Sequence, residues 1–296
     1  MDEALFARLT QWLADDRDVV VASVIATHGA TPRKRGARML IDARDSAFSV
    51  GGGAMEARVV EAARDMIRTR ADQADIRIEL NGRAGAAGVC GGGMRVVLRR
   101  WQGEAAWQHA QQIASRLAAG ESIRLQGEVL GLLDDQSCLL QPKARLLILG
   151  AGHCGQALAE LARFVDFEVW LADSRAECFS PDPQEGVICI GADAIDLRAA
   201  TDTPRALYLV LLNRDYLADV AALNALNGVR YAFLGMMGSR KRIAQVKKSL
   251  PDAAPWLEGM VAPVGVEIGE QTPQEIAVSI VAELIACRAR MQTADA

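Results

Sequence analysis

Apolar positions along this chain recur at two spacings, and the change from one to the other marks out its elements. Leu5, Leu9, Trp12 and Leu13 fall on one face of a helix over residues 3–14, and the β-branched run 19–26 predicts a buried strand. Two further strands follow at 37–41 and 48–50, and then Met55, Val59, Ala62, Ala63 and Met66 recur at helical spacing over 54–69. Residues 76–80 alternate as a half-buried strand, and 94–101 predicts another. A helix over 104–119 and strands at 122–131 and 138–140 lead into Gln141-Pro142-Lys143, which reads as a linker.

Beyond the linker, strand and helix alternate. The run Leu146-Leu147-Ile148-Leu149 ends in Gly150-Ala151-Gly152-His153-Cys154-Gly155, passes into a helical pattern, and is followed by a second apolar run closing at Asp173. Strands at 187–190, 206–212 and 231–234 follow, with a helix at 216–226 and a basic helix opening after Gly238-Ser239-Arg240. Thr272-Pro273-Gln274-Glu275 is a capping box with proline at the first helical position, and it starts a long terminal helix to about residue 291. Ile276, Ile280, Leu284 and Cys287 form a stripe along that helix which core packing explains better than a dimer seam. The expected architecture is α/β, with a mixed α+β domain over 1–143 and a Rossmann-like, doubly wound parallel sheet over 144–296.

The glycines carry the candidate chemistry. Gly150 suits a tight turn, Gly152 leaves its backbone open to a pyrophosphate, and Gly155 lets the helix lie close on its strand. Helix-start N–H groups, including that of His153, would hold the phosphate, with Asp173 accepting from a ribose hydroxyl and Arg175 meeting a further anion. Asn213, Asp215, Gly238, Ser239 and Arg240, at or beyond later strand ends, are expected on the same crevice, so NAD(P) or another nucleotide is the candidate ligand. In the first domain Gly51-Gly52-Gly53 opens a helix as a second anion nest, with Glu56 either a ligand contact or a complement to the helix dipole. Cys90-Gly91-Gly92-Gly93 sets a thiol among accessible backbone N–H groups that favour thiolate, or is a small residue filling a tight turn. The turn 27–36 brings Arg33, Lys34 and Arg35 together.

Size and charge narrow the class. A chain of 296 residues with 51% hydrophobic content is long enough for two cores, and its net charge of -4 argues against a general nucleic-acid binder. No apolar run approaches the roughly 18 residues of a membrane span, and residues 1–18 lack a signal-peptide pattern, so a cytoplasmic protein is expected. The six cysteines are scattered without a C-x-x-C, which suggests neither a zinc site nor a disulfide framework.

Taken in order, T-H-G-A-T-P-R-K-R-G-A-R-M-L-I at 27–41, G-G-G-A-M-E at 51–56, C-G-G at 90–92, G-A-G-H at 150–153, L-G-M-M-G-S-R-K-R at 234–242 and I-G-x-x-T-P-x-E-I-A-V-S-I at 268–280 resemble the xanthine dehydrogenase accessory proteins of the XdhC type. That resemblance implies a molybdenum-cofactor (molybdopterin) chaperone without turnover of its own. Such a protein guards the cofactor while a cysteine desulfurase replaces an oxo ligand by sulfur, and assists insertion into a xanthine dehydrogenase apoenzyme. Molybdenum-cofactor biosynthesis proteins are implied as further partners, and a homo-oligomer, a dimer, as the assembly. Carried onto this chain, Thr31, Arg33, Lys34, Arg38, Gly51, Gly52, Gly53, Glu56, Cys90, Gly91 and Gly92 become the cofactor-site candidates, with Cys90 a candidate molybdenum contact or sulfur carrier.

Two positions depart from the family pattern. Ala30 stands where Ser is frequent, and Asn213-Arg214-Asp215 stands where a His-Asp pair is frequent, which removes an acid-base candidate from the second-domain crevice. The alternative reading is an NAD(P)-dependent oxidoreductase; against it, the chain holds only His28, His109 and His153 and no Tyr-x-x-x-Lys arrangement. A third reading makes the turn 238–242 a docking point for a target enzyme.

Overall fold

The computed structural model describes residues 2–80, 91–130, 137–179 and 185–294. They form two compact units, Met1–Pro142 and Lys143–Ala296.

In the first unit, α1 (Asp2–Ala14), β1 (Val19–His28), β2 (Arg38–Ile41), β3 (Ser46–Phe48), α2 (Gly53–Thr69), β4 (Gln73–Glu79), β5 (Gly93–Trp101) and α3 (Gly103–Ala118) follow one another. The five strands form an antiparallel sheet in the order β3-β2-β1-β5-β4. Alternation along the strands divides the core in two, because successive side chains leave a strand on opposite faces. Val20, Ala22, Met39 and Ile41 pack with Met55, Val59 and Met66 of α2. Val19, Val21 and Leu40 pack with Leu5, Leu9, Ile113 and Leu117 of α1 and α3. A short hairpin, β6 (Ile123–Gln126) and β7 (Ser137–Leu140), joins the second of these cores. In place of one strand over 122–131, β6 gives way to a 3-10 turn at Gly127–Leu130.

The second unit runs β8 (Arg145–Leu149), α4 (His153–Phe164), β9 (Glu168–Ala172), β10 (Val187–Ile190), α5 (Ala194–Thr201), β11 (Leu207–Leu211), α6 (Tyr216–Leu226), β12 (Phe233–Met236), α7 (Arg240–Ser249) and α8 (Pro273–Ala294). All its strands are parallel, in the order β10-β9-β8-β11-β12. Leu146 and Ile148 face α4 and α8, whereas Leu147 and Leu149 face α5, α6 and α7. The sheet is therefore covered on both sides, which is why its central strands are continuously apolar.

Other elements also differ from expectation. Helix α5 is too short for a clear apolar period; it is started instead by Asp193, whose carboxylate accepts from the N–H groups of Ile195 and Asp196 at 2.9 Å. Strand β12 lies two residues further on than the run 231–234, because Gly235 and Met236 continue alongside Val261. In the first unit the strand expected at 48–50 is found as β3 at Ser46–Phe48, and β4 starts three residues before the expected 76. Among the described residues, no helix is long and apolar enough to cross a membrane.

Candidate functional site

The first unit brings its glycine turns together at one end of the sheet. Gly29 is so close to the next turn that a Cβ there would lie 2.9 Å from the Gly91 carbonyl oxygen. A Cβ on Gly92 would lie 2.3 Å and 2.5 Å from the carbonyl oxygens of Ala30 and His28. These contacts are with backbone, which cannot move aside, so glycine is required for the two turns to meet. A Cβ on Gly51 would lie 2.3 Å from Met55 Cε and 2.7 Å from Pro32 Cγ, so this turn touches Gly51 as well. The segment 28–32 is thus held between Gly51 and Gly91–Gly93. By contrast, a Cβ on Gly52, Gly53 or Gly91 would meet no atom within 4 Å, so these backbones are open to an approaching group.

The base of the Gly91 turn is pinned by two hydrogen bonds. Leu80 N–H donates to the Gly92 carbonyl at 2.8 Å, and Gly91 N–H donates to the Leu80 carbonyl at 2.7 Å. Cys90 itself, with 81–89, lies outside the described residues.

The anion nest at the start of α2 is filled by the chain. Glu56 Oε2 accepts from Ser49 Oγ at 2.5 Å, Gly52 N at 3.1 Å, Val50 N at 3.2 Å and Gly51 N at 3.4 Å. Burial alone would raise this carboxyl, but the Ser49 hydroxyl and the three N–H groups outweigh it and hold the group below the ordinary glutamate range. Glu56 therefore both complements the helix dipole and occupies the site that a ligand anion would take.

The candidate cations separate into two groups. Lys34 and Arg35 are exposed on the turn, and Thr31 Oγ1 donates to the Arg33 carbonyl at 3.0 Å, which shapes it. Arg38 belongs elsewhere. It is 4% exposed, donates to Asp2 Oδ1 and to Cys138 Sγ at 2.5 Å, and shares its strand face with Leu40 rather than with Met39. Its place on the α1/α3 side of the sheet removes it from the face on which α2 begins. Burial pushes the Cys138 thiol up, against the opposing pull of Arg38, so Cys138 stays protonated at neutral pH.

In the second unit, the strand ends of β8, β9, β11 and β12 surround a cleft of about 110 Å³. Gly150, Gly152, His153 and Cys154 form its floor, and Arg175 and Arg214 flank it. Leu212, Met237 and Pro273 close it. This is the point where the sheet order reverses, the usual place for a ligand in such folds. The three glycines divide the work as their spacing predicts. A Cβ on Gly150 would lie 2.8 Å from the Leu212 carbonyl carbon, and one on Gly155 only 1.9 Å from the Gly150 oxygen. One on Gly152 would meet nothing within 4 Å, and Gly152 provides no side-chain cap to α4, so the helix-start N–H groups point into the cleft.

Asp173 does not reach into this cleft. Its side chain is 4% exposed, with Oδ2 accepting from Ala151 N and Arg175 Nη2 at 2.9 Å and Oδ1 from Arg175 N and Nε at 3.0 Å. Burial opposes ionisation there, and Arg175 with the Ala151 N–H overcomes it, keeping the carboxyl below the ordinary aspartate range. The acid expected to read a ribose instead braces the glycine turn and aims Arg175. Beyond the fourth strand, Asp215 caps α6 by accepting from Leu217 N at 3.1 Å. Asn213 donates to the buried Asp219 at 3.1 Å, and Arg242 bonds both Asp219 and the carbonyls of Asn213 and Arg214. Ser239 caps α7, accepting from Arg242 N at 3.3 Å; Gly238 lies against the Arg242 side chain, and Arg240 is exposed. None of Gly238, Ser239 and Arg240 lines the cleft, whereas Arg214, Cys154 and Pro273, which the motif alone did not single out, do. Burial pushes the Cys154 thiol up, so it lines the cleft as a neutral group. Among the described residues, no group of three or more His, Cys, Asp or Glu is placed to hold a metal ion.

Comparisons with known proteins converge on one family. Residues 146–284 match the model of the XdhC Rossmann domain, and residues 12–78 match that of the XdhC and CoxI family. A Bacillus subtilis (strain 168) protein described as a probable subunit of xanthine dehydrogenase is 26% identical over 94% of this chain and 96% of its own length. The "Uncharacterized protein YqeB" of Escherichia coli (strain K12) is also 26% identical, over 90% of this chain; the match spans only 42% of that longer protein. A crystal structure described as a xanthine dehydrogenase from Bacillus halodurans superposes with a TM-score of 0.80 at 22% identity, covering 98% of this chain and 96% of that one, which shows a shared fold. With the two family matches, at 12–78 and 146–284, spanning most of the chain between them, the protein belongs to the XdhC family.

Proposed function

We propose that this chain is an accessory protein to a xanthine dehydrogenase, and that its first unit holds the molybdenum cofactor as cargo before the cofactor reaches the apoenzyme. The observation that carries this reading is the contact of the 28–32 turn with both Gly51 and Gly91–Gly93, beside the open backbones of Gly52, Gly53 and Gly91. A flat pterin needs walls without side chains, and its phosphate needs cations and N–H donors. The fit is good for the ring system and conditional for the anion. Lys34 and Arg35 are exposed beside the turn, but the N–H groups of Val50, Gly51 and Gly52 already serve Glu56. In this reading Cys90 adjoins the open Gly91 and is the candidate contact for the metal or its sulfur. A cysteine desulfurase and cofactor-synthesis proteins are the proposed further partners, in a cytoplasmic setting.

The test is retention of cargo. Protein mixed with molybdopterin and passed through a desalting column should keep pterin absorbance, and Lys34→Glu/Arg35→Glu should release it. Parent protein that elutes without pterin would remove the chaperone reading.

A second reading is favoured by the cleft at Gly152, with Arg175 and Arg214 on its flanks: a nucleotide bound through its phosphates. The volume of about 110 Å³ accommodates a phosphate-sized group and is below the roughly 300 Å³ at which enclosed small-molecule pockets begin. An NAD(P)-dependent oxidoreductase would in addition show substrate-dependent reduction in a nicotinamide fluorescence titration.

A further inference from the structure

The acid that follows β9 has no acceptor left for a ligand. A carboxylate offers about four lone-pair sites. Oδ2 of Asp173 accepts from Ala151 N and Arg175 Nη2 at 2.9 Å, and Oδ1 accepts from Arg175 N and Nε at 3.0 Å. In a dinucleotide-binding sheet the acid at this strand end reads the 2′-hydroxyl of the adenosine ribose. With every site taken and a side chain only 4% exposed, Asp173 cannot make that contact.

The same bonds leave one edge of Arg175 open. Its side chain is 51% exposed and lines the cleft. Nε and Nη2 are held by Asp173, whereas Nη1 is bonded to nothing among the described residues. A guanidinium fixed along one edge presents the other in a set direction, and donors without an acceptor suit a phosphate better than a hydroxyl. Arg214, the other flanking cation, is exposed, and its guanidinium has no partner among the described residues. Arg175 follows β9 and Arg214 precedes α6 after β11, so the open start of α4 after β8, the strand between them, lies between the two cations.

We propose that the nucleotide taken by this cleft carries a phosphate on its ribose. The 5′-phosphates bind at the start of α4 and Arg214, and a 2′-phosphate binds Arg175. The ligand class is NADP(H) or another 2′-phosphorylated adenine nucleotide, and NAD(H) is selected against. This rests on the reading of the cleft as a nucleotide site and goes further by naming Arg175 as the residue that selects, with Asp173 as the residue that aims it. Binding alone is involved, and no turnover is required.

The experiment uses the full chain and two probes that differ only in the group at issue, adenosine 2′,5′-bisphosphate and 5′-AMP, titrated by calorimetry. The bisphosphate should bind about tenfold more tightly or better, the worth of one charge-assisted contact. Arg175→Gln should bring the two affinities together by weakening the bisphosphate alone. Arg214→Gln should weaken both in step and leave their ratio. Arg175→Gln also removes donors from the buried Asp173, so its melting temperature is read first; the ratio measured on the parent needs no variant and decides the matter if that variant does not fold. Equal affinities in the parent, or a ratio that survives in folded Arg175→Gln, would overturn the assignment and leave a nucleotide site in place. A parent that binds neither probe removes the assignment and the nucleotide reading together.

Discussion

The carboxylate of Glu56 and the backbone N–H of Gly52 lie 3.1 Å apart, and the same oxygen also accepts from Gly51, Val50 and Ser49. A glycine turn that looks ready for an anion is therefore already neutralised from within. A ligand anion arriving at this turn would have two routes: displacing Glu56, or binding beside it through the turn cations.

Glu56→Ala separates those routes. Removing the carboxylate leaves the helix-start N–H groups unserved and should cost about 1 kcal/mol of stability, the usual size of a lost helix cap. It should also raise affinity for inorganic phosphate if displacement is required, measurable by calorimetry. Unchanged phosphate binding with a lowered melting temperature would show that Glu56 is structural alone.

Gly152→Ala and Gly155→Ala should behave oppositely although both lie in the same turn. At Gly155 a methyl group would stand 1.9 Å from a carbonyl oxygen, so the second unit is expected to misfold or to lose several kcal/mol. Gly152 has open space in front of it, and alanine there should leave the melting temperature near that of the parent while weakening any phosphate or nucleotide bound in the cleft. Differential scanning calorimetry and a ligand titration read the two effects separately.

Acid should weaken the Asp173 brace in a predictable window. Its folded-state pKa is depressed below the ordinary 3.8, so its contribution is complete above that value and is lost as pH falls through the folded pKa. Asp173→Asn should cost about 1–3 kcal/mol at pH 7, the penalty of a buried charged hydrogen bond, reduced because the Arg175 end is half exposed. The gap between parent and variant in urea unfolding should shrink below about pH 3.8. A gap that stayed constant across that range would show that the charge contributes nothing.

Asp219→Ala is expected to be damaging through an ion pair rather than through packing. Asp219 is 1% exposed and is bonded by Asn213 and Arg242, so its loss leaves a part-buried guanidinium without its counter-charge, held only by the Asn213 and Arg214 carbonyls, at a cost of about 3 kcal/mol. Asp219→Ala combined with Arg242→Met should recover part of that loss, because no charge is then left unpaired. Denaturant midpoints of the single and double variants measure the recovery.

The second unit is legible in the sequence because its signals are local. The run from Leu146 to Leu149 and the glycines at 150, 152 and 155 fix strand, turn and helix within one short stretch. The first unit is legible only in part. Its elements follow from periodicity, but the pairing of β1 with β5, which sets Val19 against Trp101, rests on long-range packing that spacing does not encode. Arg38 is a candidate through the family resemblance, beside Arg33, Lys34 and Arg35, yet strand alternation aligns it with Leu40 and turns it to the other face. That alternation is present in the sequence and outweighs charge as evidence. Asp173 and Glu56 share a different lesson. An acid next to a glycine turn serves a ligand only if the backbone has not claimed it first, and that competition is settled by geometry a sequence does not contain.

The pair of hydrogen bonds between Leu80 and the Gly91–Gly92 turn fixes where the chain leaves and rejoins the sheet. Leu80 and Gly91, on either side of 81–90, are fastened at one spot, directly after Glu79 meets Gly93 across β4 and β5. Doubling the number of residues between those fastenings would cost only about 0.6 kcal/mol of closure entropy. A change in the number of residues between Leu80 and Gly91 can therefore be absorbed while the strands beneath keep their register.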